Sequence, residues 1–159
     1  MGFATTYLDK QEGFHPSFLS PPPQNPGMII TIPCYNEPDI LNTLNSLASC
    51  DKPSCITEVI IVVNSGVDDN EIITDQNNTT YEALLAWSIN HSSAKMTFLP
   101  LLAEQLPKKH HGAGLARKIA MDQAVSRFNS IDNKQGIIVS MDADTLVERN
   151  YLQEIEKKW

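Results

Sequence analysis

Two aspartates stand one residue apart near the end of this sequence, directly after an apolar run. The run is GIIVSM, residues 136–141, and the two carboxylates belong to Asp142 and Asp144. Paired carboxylates are poor ligands for soft metals, but they suit Mg²⁺ or Mn²⁺, which prefer oxygen and usually share their coordination with a phosphate. The alternative is a solvated strand end at which Asp144 or Thr145 caps the next helix. The pair therefore predicts either a divalent-metal site or a helix cap.

A second polar cluster follows the apolar run MIITI, residues 28–32, and contains Pro33, Tyr35, Asn36 and Glu37. Asparagine is favoured in turns, so Tyr35 and Asn36 are either turn formers or a ring and hydroxyl presented to a base or sugar. Glu37 precedes a predicted helix, where the helix dipole alone favours an acidic residue. Both interpretations stay open for this cluster.

The stretch GAGLAR places Arg117 and Lys118 beside a glycine-rich helix start. A guanidinium there is well placed for an anionic ligand, although ordinary surface charge also explains it. A dinucleotide-binding loop is disfavoured, because that fingerprint follows the first strand and ends in Gly or Ala, whereas Arg117 occupies that place. His110 and His111 just before it are adjacent residues of a predicted loop, and we expect them to be solvated rather than metal ligands.

Composition excludes several classes of function. The 159 residues include 12 basic and 19 acidic ones, and the net charge of −7 disfavours binding to nucleic acid. Three cysteines at no zinc-like spacing, and an N-terminus without signal-peptide features, predict a reduced, cytoplasmic protein, with a peripheral position at the inner membrane face as the alternative. No apolar run approaches the roughly 18 residues that span a bilayer.

The elements that must position these residues alternate between strand and helix. Residues 1–27 contain SPPPQNPG and predict an extended arm. Apolar runs predict strands over residues 28–32, 58–63, 95–102 and 136–141. Apolar periodicity and capping signals predict helices over 38–50, 79–90, 112–128 and from Val147 onward, with a turn at 64–66.

This alternation predicts an α/β fold: a Rossmann-like, mostly parallel sheet sandwiched by helices, with right-handed crossovers. In such sheets ligands bind beyond the carboxyl ends of the strands. Those ends carry the clusters CYNE, NSG and DAD. We therefore expect any ligand site at this edge.

Four segments together resemble the successive blocks of the family-two glycosyltransferases with the GT-A fold. They are MIITIPCYNEPDILNTLNSL, EVIIVVNSG, GAGLARKIAMDQA and GIIVSMDADTLVERNYLQEI. The resemblance implies a nucleotide-diphosphate-sugar donor, such as a UDP- or GDP-sugar, an Mg²⁺ or Mn²⁺ ion, and transfer of a hexosyl group to an unknown acceptor with inversion. It also implies a division into an arm, 1–27, and a nucleotide-sugar-binding domain, 28–159.

The same resemblance gives roles to individual residues. It implies that the nucleoside site is lined by Pro33, Tyr35 and Glu37, that Arg117 approaches the base or diphosphate, that Asp142 contacts the ribose, and that Asp144 binds the metal. Many relatives carry an aspartate after the second strand, whereas this chain has Asn64, with Asp68 and Asp69 nearby. An amide can donate and accept, so we expect Asn64 to read the base edge in its place.

The sequence ends at Trp159, soon after the paired aspartates. In the resembled family the acceptor site and the catalytic base follow this motif, so we expect a donor-binding half, truncated after the DxD motif, that self-associates through the exposed face. The alternative is a noncatalytic nucleotide-binding or interaction domain of the same fold. A DxD-type phosphatase is disfavoured because Leu146 stands where that class has Thr or Val.

Overall fold

A computed structural model describes residues 2–11, 19–107 and 113–159 of the chain. Four parallel strands form one sheet, and they are β1 (Pro26–Cys34), β2 (Ile56–Gly66), β3 (Met96–Leu106) and β4 (Ile137–Ser140). The helices of the described residues are α1 (Thr5–Asp9), α2 (Ile40–Ala48), α3 (Glu71–His91), α4 (Ala113–Ser130) and α5 (Tyr151–Lys157). The predicted α/β fold with a parallel sheet and flanking helices is therefore confirmed.

The order of the strands reverses once. Neighbours in the sheet run β3-β2-β1-β4, so α2 and α3 carry the chain outward from β1 to β3, and α4 carries it back to β4. Since βαβ crossovers are right-handed, a reversal of direction moves the connecting helix to the opposite face of the sheet. The carboxyl ends of β1 and β4 consequently flank a crevice at the switch point, which is where open α/β sheets bind ligands.

Separate hydrophobic cores lie on the two faces of the sheet. Alternate residues of β1 divide between them, because successive strand side chains point to opposite faces. Ile30 packs with α2, α3 and α5, whereas Ile29 packs with α4. Both isoleucines are fully buried, which contributes about 1.5–3 kcal/mol of stabilisation each.

Helix α4 packs on the sheet through small residues. The sequence predicts a narrow alanine row on this helix, and Ala116, Ala120 and Ala124 are all buried. Ala120 and Ala124 lie in the same core as Ile29, together with Phe128. The predicted close approach of an alanine-faced helix to the sheet is confirmed.

A buried ion pair joins α4 to the sheet. Arg127 donates from Nε and one terminal nitrogen to the two carboxylate oxygens of Glu58 on β2, at 2.6 and 2.7 Å. The two side chains are only 5% and 4% exposed. Arg127 also donates to the carbonyl oxygen of Ser20, so the same guanidinium ties the N-terminal segment to the domain.

Residues 5–9 are helical, which corrects the prediction of an extended arm over the first 27 residues. This short helix lies against α4: the Tyr7 hydroxyl donates to Asp122 at 2.6 Å, and the Ala4 amide donates to the Asn129 side chain at 2.6 Å. The proline-rich stretch lies further along, in residues 20–27, and it does not prevent a helical turn before it.

Helix α3 begins at Glu71, whereas the sequence predicted a start near Thr79. Asn70 is the cap, and its side chain accepts a hydrogen bond from the Ile73 amide at 3.0 Å. The first turns are largely polar, so apolar periodicity does not reveal them. The predicted capping box consequently lies inside the helix.

Strand β2 and the last helix also differ from prediction. The predicted turn at 64–66 belongs to β2, which bulges there and pairs Gly66 with Leu106. The last helix begins at Tyr151 rather than near Val147, and residues 141–150 form no regular element. Both differences arise because these segments find hydrogen-bond partners in neighbouring elements.

The reduced state and the cytoplasmic location of the protein stay largely predictions. All three cysteines, Cys34, Cys50 and Cys55, are free thiols. No helix within the described residues is long and apolar enough to cross a bilayer. Ile89 and Trp159 are 81% and 84% exposed, as a self-association surface would need, and self-association itself stays a prediction.

The position of α5 depends on one carboxylate with a perturbed pKa. Glu156 accepts hydrogen bonds from the Ser54 amide at 2.9 Å, the Ser54 hydroxyl at 2.8 Å and the Cys55 amide at 3.0 Å. The Ser54 amide contributes most to lowering the pKa of Glu156 from 4.5 to about 2. Because the folded state holds the ionised form, this contribution to stability is present above pH 4.5 and is lost as the pH falls towards 2.

We therefore predict that Glu156→Gln lowers the free energy of unfolding by about 1 kcal/mol at pH 7. The variant should also lose part of the pH dependence of stability between pH 4.5 and 2. Urea denaturation across this pH range is the measurement. Glu154→Gln on the same helix is the control, because Glu154 pairs only with Lys157 on an exposed surface. Equal pH profiles for the two variants would contradict the prediction.

Candidate functional site

The first and fourth strands bring two of the predicted clusters to one edge of the sheet. Thr31 of β1 is in register with Ser140 of β4, and the Met141 amide donates to the Thr31 carbonyl oxygen at 3.0 Å. Parallel strands end at the same edge, so the segment after β1 and the aspartates after β4 flank the switch point.

Arg117 joins this edge from α4. Its guanidinium donates to the Ser140 hydroxyl at 2.8 Å and to the Asp142 carboxylate at 3.0 Å. The side chains of Arg117 and Asp142 are 40% and 64% exposed, so solvent screens the pair and its contribution to stability is small. A partly exposed pair of this kind can exchange partners with an incoming anion or hydroxyl at little cost.

The Asp144 carboxylate is exposed, and no described residue pairs with it. Within residues 2–11, 19–107 and 113–159, no group of three His, Cys, Asp or Glu side chains converges on one point. Two carboxylates one residue apart fit Mg²⁺ or Mn²⁺, which take hard oxygen ligands and fill the remaining positions with water and phosphate oxygens. The same set does not fit a structural zinc site, which needs four ligands from the protein.

Tyr35 is held at the end of β1 by a carboxylate from the end of β2. Its hydroxyl donates to one oxygen of Asp69 at 2.7 Å, and the other oxygen accepts from the Gly66 amide at 2.6 Å. The hydrogen bond to Asp69 is the main reason that the pKa of the Tyr35 hydroxyl is raised, with burial second. Tyr35 as a whole is 45% exposed, so part of the residue is accessible to a ligand.

Asn64 lies deeper than predicted. It is 3% exposed, and its amide nitrogen donates to the carbonyl oxygens of Cys34 at 3.0 Å and Val62 at 3.3 Å. Both amide hydrogens are thus engaged, which leaves no donor for a nucleotide base. The side chain joins β2 to β1, and its contact with a base edge, through the amide oxygen, stays a prediction.

Asn77 supports the region around Asn64, where β1 and β2 end, and it was not predicted as a site residue. From α3 it donates to the Asn64 carbonyl oxygen at 2.8 Å and accepts from the Asn36 amide at 3.0 Å. Asn36 has a φ of 47°, a left-handed conformation that asparagine tolerates better than most residues. The sequence carries a weak signal for this role, because a buried asparagine on a helix must find partners.

The remaining residues of the first cluster have local roles. Glu37 accepts from the Asp39 amide at 3.1 Å, which satisfies a free backbone donor before α2. Burial raises the pKa of the Cys34 thiol to about 12, so this cysteine is uncharged and unsuited to act as a nucleophile. Pro33 is partly exposed near the end of β1. The contacts of Pro33, Tyr35 and Glu37 with a nucleoside stay predictions.

The histidine prediction concerns His110 and His111, and it falls outside the described residues, as does Gly112. The glycine of GAGLAR that is described, Gly114, has open space where a Cβ would stand. No contact with the described part of the protein therefore requires a glycine at this position.

Comparison with solved structures shows a likeness to a known crystal structure. No protein-family model matches the sequence, and no curated protein matches it. The chain is similar to the crystal structure of residues 1–349 of S. aureus TarS, with a TM-score of 0.49 and 22% sequence identity. The match covers 82% of this chain and 31% of that one. A likeness at this level decides neither fold nor function, which rest on the geometry described above.

Proposed function

We propose that the carboxyl edge of the sheet binds the nucleoside diphosphate of a UDP- or GDP-sugar, together with Mg²⁺ or Mn²⁺. The chain would then be the donor-binding part of an inverting glycosyltransferase. The observation that supports this most is the arrangement at the switch point, where Arg117 pairs with Asp142 beside Asp144, which has no partner among the described residues. A ligand with both anionic and hydroxyl groups needs a cation for the anionic groups and carboxylates that accept from the hydroxyls, side by side.

Each residue of the edge has a proposed task. Pro33, Tyr35 and Glu37 line the nucleoside, and the Tyr35 ring stacks on the base. Asp142 accepts a hydrogen bond from a ribose hydroxyl, and the guanidinium of Arg117 moves towards the diphosphate. Asp69 belongs to this group because it fixes the Tyr35 hydroxyl.

Asp144 is the proposed metal ligand. A bound divalent ion supplies charge neutralisation of the diphosphate as it leaves the sugar. The chain carries a net charge of −7, and its two exposed aspartates repel a diphosphate when no cation is present. We therefore expect donor binding to depend on the metal.

Isothermal titration calorimetry of the full chain with UDP and with GDP, each with and without Mn²⁺, tests the proposal. We expect at least one diphosphate to bind about tenfold more tightly with Mn²⁺ than with EDTA. UMP and GMP are matched controls: they keep the nucleoside but lack the second phosphate, so the effect of the metal should largely disappear. If neither diphosphate binds at high protein concentration, the proposed function is wrong.

A further inference from the structure

The segment that carries the paired aspartates has no regular structure of its own. Residues 141–150 lie between β4 and α5 and belong to no helix or strand, and near the two ends of the segment Met141 bonds to β1 and Asn150 to α5. Backbone groups in such a segment need partners from elsewhere, or the segment has no fixed conformation. The residues that bond to residues 141–150 are therefore the ones that hold the Asp142–Asp144 segment in place.

Most of these partners lie on one face of α2 and just beyond its end. The Thr43 hydroxyl donates to the Ala143 carbonyl oxygen at 2.6 Å, and the Val147 amide donates to the Ser46 hydroxyl at 3.2 Å. The Cys50 thiol then donates to the Glu148 carbonyl oxygen at 3.3 Å. Residues 43, 46 and 50 share one helix face, because they are separated by three and four positions. We call Thr43, Ser46 and Cys50 the anchoring row.

The row is itself rigid. Thr43 is 1% exposed and Cys50 is 4% exposed, so neither side chain is free to turn towards solvent. The Ser46 hydroxyl also donates to the Thr43 carbonyl oxygen at 2.7 Å, which fixes its direction. Beyond the helix, the Asp51 amide donates to the Arg149 carbonyl oxygen at 2.9 Å. The irregular segment is therefore held at four points, two on α2 and two just beyond its end.

Thr43 has the most direct effect on the aspartates. Its acceptor, Ala143, is the residue between Asp142 and Asp144, so this one hydrogen bond fixes the peptide that links the two carboxylates. From the same geometry, we infer that Thr43 is a positioning residue, which sets the direction of the Asp142 and Asp144 side chains through the Ala143 carbonyl group. This role rests on the proposed function, since it concerns the metal and nucleotide that those carboxylates would hold.

Thr43→Val tests the inference, because it keeps the shape of the side chain and removes the hydroxyl. We expect the Mn²⁺-dependent affinity for the preferred diphosphate to fall about tenfold, as happens when the support of a metal ligand is removed. Thr43→Ser should keep the affinity within about twofold of the wild type, since its hydroxyl can still donate. Ile40→Val is the matched control: it trims a buried residue of the same helix without touching the row.

Hydrogen exchange of the chain without ligand supplies a second measurement. Thr43→Val should speed amide exchange in residues 141–147 and leave β2 unchanged, whereas Ile40→Val should not single out that segment. If the wild type binds a diphosphate, and Thr43→Val has the same affinity and the same amide exchange as the wild type, the positioning role is wrong. The proposed function is not affected by that result. Failure of the wild-type chain to bind either diphosphate overturns the proposed function, and the positioning role falls with it. Loss of affinity in Thr43→Val that Thr43→Ser does not restore also overturns the role of the hydroxyl.

Discussion

Replacing Asp144 by asparagine is expected to weaken Mn²⁺-dependent binding of UDP or GDP about 100-fold, or about 2.7 kcal/mol. Asparagine keeps the size of the side chain but replaces a charged oxygen ligand by a neutral one, and Mg²⁺ and Mn²⁺ bind carboxylates far better than amides. Affinity without metal should not fall, and should rise slightly, because one carboxylate that repels the diphosphate is gone. Calorimetric titration with and without Mn²⁺ measures both quantities on the same protein.

Asp132→Asn is the matched control for this substitution. Asp132 lies in the turn between α4 and β4, at the end of β4 opposite to the aspartate pair, and asparagine tolerates its positive φ of 51°. Both variants raise the net charge by one, so a purely long-range effect of charge would appear equally in the two. Equal affinities in Asp144→Asn and the wild type, at saturating Mn²⁺, would contradict the role of Asp144 as a metal ligand.

Arg127→Met is expected to lower the free energy of unfolding by about 3–5 kcal/mol, a large fraction of the stability of a domain this size. The loss is large because Glu58 is 3% exposed, and without the guanidinium its carboxylate is buried without a counter-charge. The substitution also removes the donor to the Ser20 carbonyl oxygen, which is one of the hydrogen bonds between residues 19–20 and α4. Urea denaturation followed by circular dichroism measures the change.

Arg149→Met provides the contrast, because it makes the same chemical change in an exposed pair. Arg149 pairs with Asp51 and is 81% exposed, so its removal should change the free energy of unfolding very little. Adding Glu58→Leu to Arg127→Met should recover much of the loss, since an apolar pair no longer buries a lone charge. A loss in Arg127→Met no larger than that in Arg149→Met would show that the buried pair is not needed.

The sheet could be predicted from the sequence because its strands carry the strongest local signal. The run VIIVV, residues 59–63, is apolar without interruption, as expected for a strand covered on both faces, and it lies within β2. The start of α3 could not be predicted in the same way, because its first turns are polar and only the cap at Asn70 marks them. Local pattern thus predicts an element well when the element is buried along its whole length.

The candidate site was predictable in its location but not in its internal contacts. Parallel strands end at one edge, so the sequence order of strands and helices already places Tyr35 and Asp142 there. The bond from Arg117 to Asp142, and the bond from Thr43 to Ala143, join residues 25 and 100 positions apart. Such contacts depend on which strand lies beside β1, and periodicity along the chain contains no information about that.

Asn64 shows most clearly which contacts of the site could not be predicted from the sequence. Its type and its position after an apolar run suggested a base contact, which stays a prediction, whereas the use of both amide hydrogens to join two strands could not be predicted. A polar side chain just past a strand end can face a ligand. If the strand extends by one more residue, the same side chain faces the neighbouring backbone. Here the bulge near Gly66 extends β2 and keeps Asn64 inside the sheet.

The most direct test of the proposed site is paramagnetic line broadening in the ¹⁵N NMR spectrum of the chain, with Mn²⁺ added in the presence of the preferred diphosphate. The effect falls steeply with distance from the ion, so it reports where the metal lies. We predict the strongest loss of amide signals in residues 142–146, a weaker loss in 33–37, and little change in the second half of α3. Broadening that is absent, uniform, or centred away from the Asp142–Asp144 segment would contradict the assignment of this edge as a metal-dependent nucleotide site.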